Sequence, residues 1–277
     1  MNSEKISSLL ESWLNEDSVS NDVTTHLIGS NKNAKFIVTG GPGVLSGISI
    51  ANHLMSEADL TCNFLKSDGE IISSNENVAY ISGDFNFILS RERLFLNLLS
   101  HLSGISTLTR EIVDIVNSKN PNTTVLATRK TTPGLRFLEK EAVIHGGGAP
   151  HRYDLSEAIL VKDNHLNFIT DLGIYIENAK RAYPNKKIEI EADTMTQALS
   201  FANFNIDRIM LDNFTPADAK NTYLALKDKN PSIEVEISGG LNKENIIDYA
   251  NCADFLSLSC LTIGSTPVDF TMHVNSN

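Results

Sequence analysis

Cysteine is scarce. There are three in 277 residues, Cys62, Cys252 and Cys260. Their odd number and wide spacing exclude a disulfide framework and fit neither a paired-thiol redox motif nor a zinc-ligand pattern. They read as reduced thiols at small core positions of a cytoplasmic protein. Long apolar runs are missing too. No stretch approaches the roughly 20 residues that span a bilayer, and the opening Met1-Asn2-Ser3-Glu4-Lys5 has no apolar signal core. Positive charge is in deficit, Lys+Arg 23 against Asp+Glu 34, for a net charge of −11. Such a field disfavours non-specific binding to nucleic acid or anionic lipid, so neither is expected as a partner. An anionic small molecule then needs a local cluster of cations. The glycine fingerprint of dinucleotide-binding folds is also absent.

With 41% hydrophobic and 21% charged residues, the chain can bury a sizeable core and is neither collagen-like nor disordered. Ile6, Leu9, Leu10, Trp13 and Leu14 recur at helical spacing, which predicts a surface helix over 4–15. Irregular polar sequence follows to Asn33. Lys35–Thr39 reads as a strand that ends in the turn cluster Gly40-Gly41-Pro42-Gly43. A helix is expected around Ile48–Ser56, and a long one from Arg91 through Ile115. The domain boundary is placed inside that long helix, giving one domain over 1–105, with the tail 266–277, and a second over 106–265. After Pro121 the pattern changes to six short apolar runs with helical patterns between most of them. The runs are Thr123–Ala127, Ala158–Val161, Lys187–Ile190, Arg208–Leu211, Ile233–Ile237 and Asp254–Leu258. Glu244–Tyr249 reads as one of the helices, with Asn242 as its cap. Alternating strands and helices imply a parallel sheet, and six units without a dinucleotide fingerprint suit an α/β barrel.

Ligand sites of such barrels lie at the carboxyl ends of the strands. In order, those ends carry Thr128-Arg129-Lys130, Lys162-Asp163-Asn164-His165, Glu191, Asp212-Asn213, Ser238-Gly239-Gly240 and Ser259. Polar residues at strand ends need no special explanation, because a strand leaves the core there. Their sorting is less ordinary: cations first, then carboxylates, then small residues. Glu191 and Asp212 on adjacent strands can share Mg²⁺ through oxygen ligands, often by way of water. Ser238-Gly239-Gly240, if it opens a helix, offers backbone N–H groups to a phosphate. The triple glycine Gly146-Gly147-Gly148 implies that backbone passes close to something there, and it delivers His151 and Arg152 beside Arg129, Lys130 and Lys162. A sugar carrying both a diphosphate and a monophosphate fits this set of groups.

These residues resemble the quinolinate phosphoribosyltransferase family along nearly the whole chain. The likeness rests on Thr128-Arg129-Lys130-Thr131-Thr132-Pro133-Gly134-Leu135-Arg136, on Gly146-Gly147-Gly148 with His151-Arg152, and on Leu160-Val161-Lys162-Asp163-Asn164-His165. Glu189-Ile190-Glu191, Met210-Leu211-Asp212-Asn213 and Ser238-Gly239-Gly240 follow in order. Upstream, Asp22-Val23-Thr24-Thr25 and Glu92-Arg93 with Leu96-Asn97 also match. The resemblance implies an α/β fold made of an N-terminal α/β sandwich and an open-sided α/β barrel, paired as a homodimer. It implies Mg²⁺-dependent transfer of phosphoribosyl from phosphoribosyl pyrophosphate to quinolinate, giving nicotinate mononucleotide, CO₂ and pyrophosphate for NAD biosynthesis. Carried over by motif, Lys130, Lys162, Glu191 and Asp212 are catalytic, with Lys130 near both substrates and the two carboxylates serving the metal indirectly. Arg129, His151, Arg152 and Lys162 surround quinolinate, Thr128 and His165 bind substrate, and Arg93 enters the neighbouring subunit's site. Ser238, Gly239, Gly240, Ser259, Cys260 and Leu261 hold the 5′-phosphate.

The chain departs from the family pattern at Pro150, Ser259, Ile263 and Gly264. These positions lean toward a relative associated with molybdate-transport operons, which acts on another substrate. The intact Lys162-Asp163-Asn164-His165 favours the quinolinate enzymes. A barrel aldolase with Lys162 as Schiff-base nucleophile and a non-catalytic phosphosugar-binding module are the readings from other classes.

Overall fold

The structure is a computed structural model and describes residues 3–28 and 32–275. Part of the polar stretch before Asn33, residues 29–31, lies outside the described ones, as do Met1 and Asn2. Five strands precede the long helix: β1 (Asn33–Gly40), β2 (Gly43–Val44), β3 (Thr61–Phe64), β4 (Ile71–Ile72) and β5 (Glu76–Asp84). Six follow it: β6 (Thr124–Ala127), β7 (Ile159–Val161), β8 (Ile188–Ala192), β9 (Arg208–Asp212), β10 (Glu234–Ser238) and β11 (Phe255–Leu258). The last strand is β12 (Phe270–Val274). The chain divides into two compact units. One comprises Met1–Arg110, Phe137–Gly147 and Ser265–Asn277, and the other Glu111–Arg136 and Gly148–Gly264.

The first unit carries an antiparallel sheet in the order β12-β1-β5-β3, with β2 and β4 paired separately. β1 alternates between buried and accessible positions, the mark of a sheet with one face on the core. The helix expected around Ile48–Ser56 spans those residues and buries Ile50, Ala51, Leu54 and Met55. The predicted N-terminal helix is also present, as Ser3–Glu16. Two details differ from the sequence reading. Part of the irregular stretch before β1 is a short helix, Val23–His26, because the Asp22 side chain accepts from the Thr24 and Thr25 amides and caps it. The long helix begins at Phe85 rather than Arg91, where Asp84 Oδ1 accepts from the Asn86 amide at 2.9 Å, and it runs to Asn117.

The second unit holds a six-stranded parallel sheet in the order β6-β11-β10-β9-β8-β7. Each of the six apolar runs became one of these strands. All five residues of β8 are buried, as expected of a strand covered on both faces. The crossovers are capped helices. Asp171 accepts from the Ile174 amide, Thr194 from Gln197, and Thr215 from Asp218, with Pro216 filling the first turn. The helix expected over Glu244–Tyr249 is only a 3₁₀ turn, Ile246–Asp248. Asn242 does cap, accepting from the Glu244 and Asn245 amides at 3.0 Å. Asn245 Oδ1 in turn accepts from the Asn242 amide, so side chains take the bonds a longer helix would use. Among the described residues no helix is long and apolar enough to cross a membrane.

Candidate active site

The carboxyl ends of the parallel strands surround a cavity of about 450 Å³. Ten of the residues singled out by sequence line it: Thr128, Arg129, Lys130, His151, Arg152, Lys162, Asp212, Ser238, Gly239 and Gly240. Each is placed by a local device. Thr128 Oγ1 accepts from the Lys130 amide at 3.1 Å, and Thr262 Oγ1 donates to the Lys130 carbonyl at 2.7 Å, so the turn after β6 is held at both ends. Ala149 exchanges backbone hydrogen bonds with Val125 and Ala127, extending the edge of β6. His151, with φ of 49°, then turns the chain so that it and Arg152 face the cavity. Gly146 is needed for another reason. A Cβ there would lie 2.5 Å from Thr109 Cβ and 2.6 Å from the Ser106 carbonyl oxygen, so Gly146 packs against the protein's own helix.

The cationic wall has unmet bonding capacity. Arg129 Nε is buried without an acceptor among the described residues. Arg152 is half-buried, and burial together with the Arg129 charge holds its guanidinium below the ordinary arginine range. Two guanidinium groups therefore repel each other in a partly desolvated wall. An anion between them relieves both the repulsion and the orphaned donor.

Across the cavity the carboxylates have the opposite excess. Glu191 is buried within β8, one residue before its end, and forms an ion pair with Lys162. Asp212, the last residue of β9, has its carboxyl pushed up by burial and by the charge of Glu191, with Asp193 adding to it. Asn213 Nδ2 donates to Asp212 Oδ2 at 2.6 Å. Lys162 and Lys130 offset part of this charge, and the carboxylates still outnumber them, so a cation fits here.

Ser238-Gly239-Gly240 lines the cavity but opens no helix, contrary to the sequence reading; a turn follows instead. Its glycines are needed for geometry. Gly239 has φ +88°, and a Cβ there would lie 2.3 Å from Asn213 Oδ1, whereas Gly240, φ +67°, has nothing within 4 Å. Any anion held there meets backbone N–H groups without the dipole of a following helix.

Six other singled-out residues lie outside the cavity lining. Glu191 reaches it through Lys162. His165 is exposed, and its Nδ1 accepts from the Lys162 amide at 3.0 Å, which ties it to the first turn of its own short helix. Ser259, Cys260 and Leu261 form the start of another short helix, with Leu261 fully buried. Arg93 is exposed on the helix Phe85–Asn117 in the first unit.

The sequence reading missed Glu236, although it lines the cavity, and assigned Glu189 no role. His151 Nε2 stands 3.2 Å from Glu236 Oε2 and 3.5 Å from Glu189 Oε2. Arg208 Nη1 donates to Glu236 Oε2 at 2.8 Å, and Ser257 Oγ donates to Oε1 at 2.6 Å. Burial works against a charged imidazole, but the two carboxylates override it and push the His151 pKa up to about 9. Burial and the Glu236 charge push the Glu189 carboxyl up, whereas the bond to His151 holds Glu236 down against its burial. His151, Glu189 and Glu236 offer ligand atoms within 4.8 Å of one another, a spacing compatible with a metal ion. Arg208 and the imidazole already supply positive charge there, so the cluster reads better as a buried ion network. The available signal was charge in a buried strand: Glu189 and Glu236 interrupt apolar runs at inward positions.

Comparison with known proteins settles the family. Residues 105–273 match the model of the quinolinate phosphoribosyl transferase C-terminal domain, and residues 22–103 that of the N-terminal domain. The chain belongs to this family. It is 36% identical over 241 residues to a probable carboxylating nicotinate-nucleotide pyrophosphorylase of Archaeoglobus fulgidus, covering 86% of this chain and 93% of the relative. It is 32% identical over 270 residues to the carboxylating nicotinate-nucleotide pyrophosphorylase of Rattus norvegicus, covering 96% and 90%. Among solved structures, NadC from Streptococcus pyogenes superposes with a TM-score of 0.90 at 31% identity, covering 99% of this chain and 97% of that one. The nicotinate-nucleotide pyrophosphorylase from Francisella tularensis gives 0.90 at 28%, covering 99% and 98%. The quinolinate phosphoribosyl transferase fold thus extends over both units, and the cavity stands at the strand ends where parallel sheets of this kind carry ligands.

Proposed function

We propose that the protein transfers the phosphoribosyl group of phosphoribosyl pyrophosphate to quinolinate with loss of CO₂, giving nicotinate mononucleotide and pyrophosphate. Family membership supports the reaction class. The observation that carries the substrate is the cationic wall: Arg129 with an orphaned Nε, and Arg152 beside it with its charge opposed. An aromatic 1,2-dicarboxylate presents two adjacent anions to such a wall. Each charge-assisted hydrogen bond contributes about 1.5–3 kcal/mol, so several are required to hold a desolvated diacid. Lys162 is exposed and ion-paired with Glu191, which is not the desolvated setting that a Schiff-base lysine needs.

The residues then divide the work. Arg129, Arg152 and Lys130 orient the diacid so that its ring nitrogen meets the anomeric carbon of the ribose. As pyrophosphate leaves, positive charge develops on the ribose, and Glu191 and Asp212 stabilise it electrostatically. Mg²⁺ fits the over-supplied carboxylates Glu191 and Asp212, directly or through water, and when bound it would offset the charge of the diphosphate. Ser238, Gly239 and Gly240 supply backbone donors to the 5′-phosphate. Once the nitrogen is alkylated, its positive charge stabilises the electron pair left on C2 when the C2–carboxylate bond breaks; CO₂ departs and C2 takes a proton from water, so decarboxylation needs no organic cofactor. The cations then favour departure of neutral CO₂ only insofar as they hold the remaining carboxylate in place.

Arg93 serves a neighbouring subunit's cavity in a homodimer, a role supported by its exposure and its position outside the cavity lining. A cytoplasmic setting accords with three free cysteines. Incubation with Mg²⁺, quinolinate and phosphoribosyl pyrophosphate, followed by mass spectrometry, tests the reading. Equimolar nicotinate mononucleotide and pyrophosphate are expected. Binding of both substrates without product would leave a non-catalytic phosphosugar module.

A further inference from the structure

Beneath the cationic wall, the sheet buries a second set of charges that the proposed mechanism does not use. Glu236 has no exposed surface, and Glu189 keeps 4% of its own. Inward positions of a parallel barrel are ordinarily branched aliphatic residues, because a buried carboxylate is unfavourable unless fully paired. Glu236 meets that condition. Oε1 accepts from Ser257 on β11, while Oε2 accepts from Arg208 on β9 and faces His151 Nε2. Arg208 is itself fixed. Its guanidinium lies over the Phe255 ring, 3.8 Å from the centroid, and bonds Glu234. On the other side of the imidazole, Nδ1 lies 2.6 Å from the Arg152 amide nitrogen, which donates to it. In the neutral ring that contact assigns the proton to Nε2, between the carboxylates; the charged ring carries a second proton on Nδ1 and gives up this acceptor. In the neutral state both ring nitrogens are thus committed within the protein, and His151 immediately precedes Arg152, which forms the wall.

We propose that Glu236 is a positioning residue: anchored by Ser257 and Arg208, its carboxylate fixes the tautomer and direction of the His151 imidazole and thereby sets the cationic wall that receives the pyridine dicarboxylate. The inference rests on the proposed reaction for its substrate, but its geometry stands apart from turnover. The charged groups facing the imidazole are Glu189 from β8, Arg208 from β9, Glu236 from β10 and Arg152 from its own loop. Of these, Glu236 is held by both a hydroxyl and a guanidinium. Glu189 leaves Oε1 without a partner among the described residues and is the weaker anchor.

The test compares wild type, Glu236→Gln and Ser257→Ala. Side-chain NMR of ¹⁵N-histidine-labelled protein reads the ring directly, with His151→Gln identifying its signals. In wild type the Nε2-protonated form is expected to dominate the neutral state. In Glu236→Gln the tautomer populations shift and the titration midpoint moves to lower pH. With turnover, KM for quinolinate rises about tenfold or more in the same variant, the size of effect found for partners behind metal-ligating histidines, while KM for phosphoribosyl pyrophosphate stays near wild type. Ser257→Ala keeps the carboxylate and shows the same changes at smaller size, so it decides the matter if Glu236→Gln fails to fold. His151 signals and quinolinate KM unchanged in a folded variant would overturn the proposal. If wild type gives no turnover at all, the proposed reaction has failed, and the NMR comparison still decides the positioning role.

Discussion

Two layers of charge in the six-stranded sheet are arranged in opposite ways. At the strand ends, Arg129 keeps an orphaned donor, Arg152 faces another cation, and Asp212 faces another carboxylate. One layer down, Glu236 is bonded by Ser257, Arg208 and His151. Pairing of buried charge explains Glu236, although Glu189 beside it keeps Oε1 without a partner among the described residues. It does not explain the upper layer, where Arg129 and Arg152 stand together in the cavity lining. An unmet donor and crowded like charges around a cavity of about 450 Å³ mark groups held for ligands. The lower layer keeps the upper one in place.

The upper layer should fail through chemistry and the lower through positioning or stability. Glu191→Gln should have the largest effect. Loss of a preorganised electrostatic group typically lowers kcat by about 10²–10³, and steady-state kinetics at saturating substrates should show this with little change in melting temperature. Arg129→Ala comes next. Removing two charge-assisted bonds of about 1.5 kcal/mol each corresponds to roughly a hundredfold weaker quinolinate binding, measurable by calorimetry. An unchanged affinity would mean that the orphaned Nε is not a ligand donor. Mixing Arg129→Ala with Arg93→Ala tests the dimer. If Arg93 serves the neighbouring cavity, random heterodimers with one intact site restore about a quarter of wild-type activity, whereas sites complete within one chain restore none.

The remaining effects concern stability. A folded-state His151 pKa near 9 lies above the ordinary 6.5. Its contribution is therefore fully present below pH 6.5 and is lost as pH rises through 9. Wild type should exceed His151→Gln in melting temperature at pH 6, and the gap should narrow by pH 10; a constant gap would contradict the ion network. In the other unit, Gly146→Ala places a Cβ 2.5 Å from Thr109 Cβ. Overpacking of this kind costs about 1–3 kcal/mol, visible as a lower denaturation midpoint with quinolinate KM unchanged.

Much of this arrangement was legible in the sequence. The six apolar runs from Thr123 to Leu258 gave the parallel strands because buried strands need continuous apolar stretches. The polar residues just beyond them gave most of the cavity, because parallel strands end on one side. What was not legible depended on three-dimensional pairing. Glu236 and Glu189 look like ordinary charges within strands until the sheet brings His151 and Arg208 against them. The helix expected at Glu244–Tyr249 failed because Asn242 and Asn245 take each other's amides, a competition that apolar spacing does not register. The same turn chemistry leaves Gly239 and Gly240 outside any helix, so the expected helix dipole is missing although the backbone donors remain.

The most direct measurement uses quinolinate labelled in its 2-carboxyl carbon, with Mg²⁺ and with or without phosphoribosyl pyrophosphate. Labelled CO₂ released only when both substrates are present, one for each nicotinate mononucleotide formed, is the result expected of charges held open for two anions. Tight binding of quinolinate with no labelled CO₂ under any condition would contradict it.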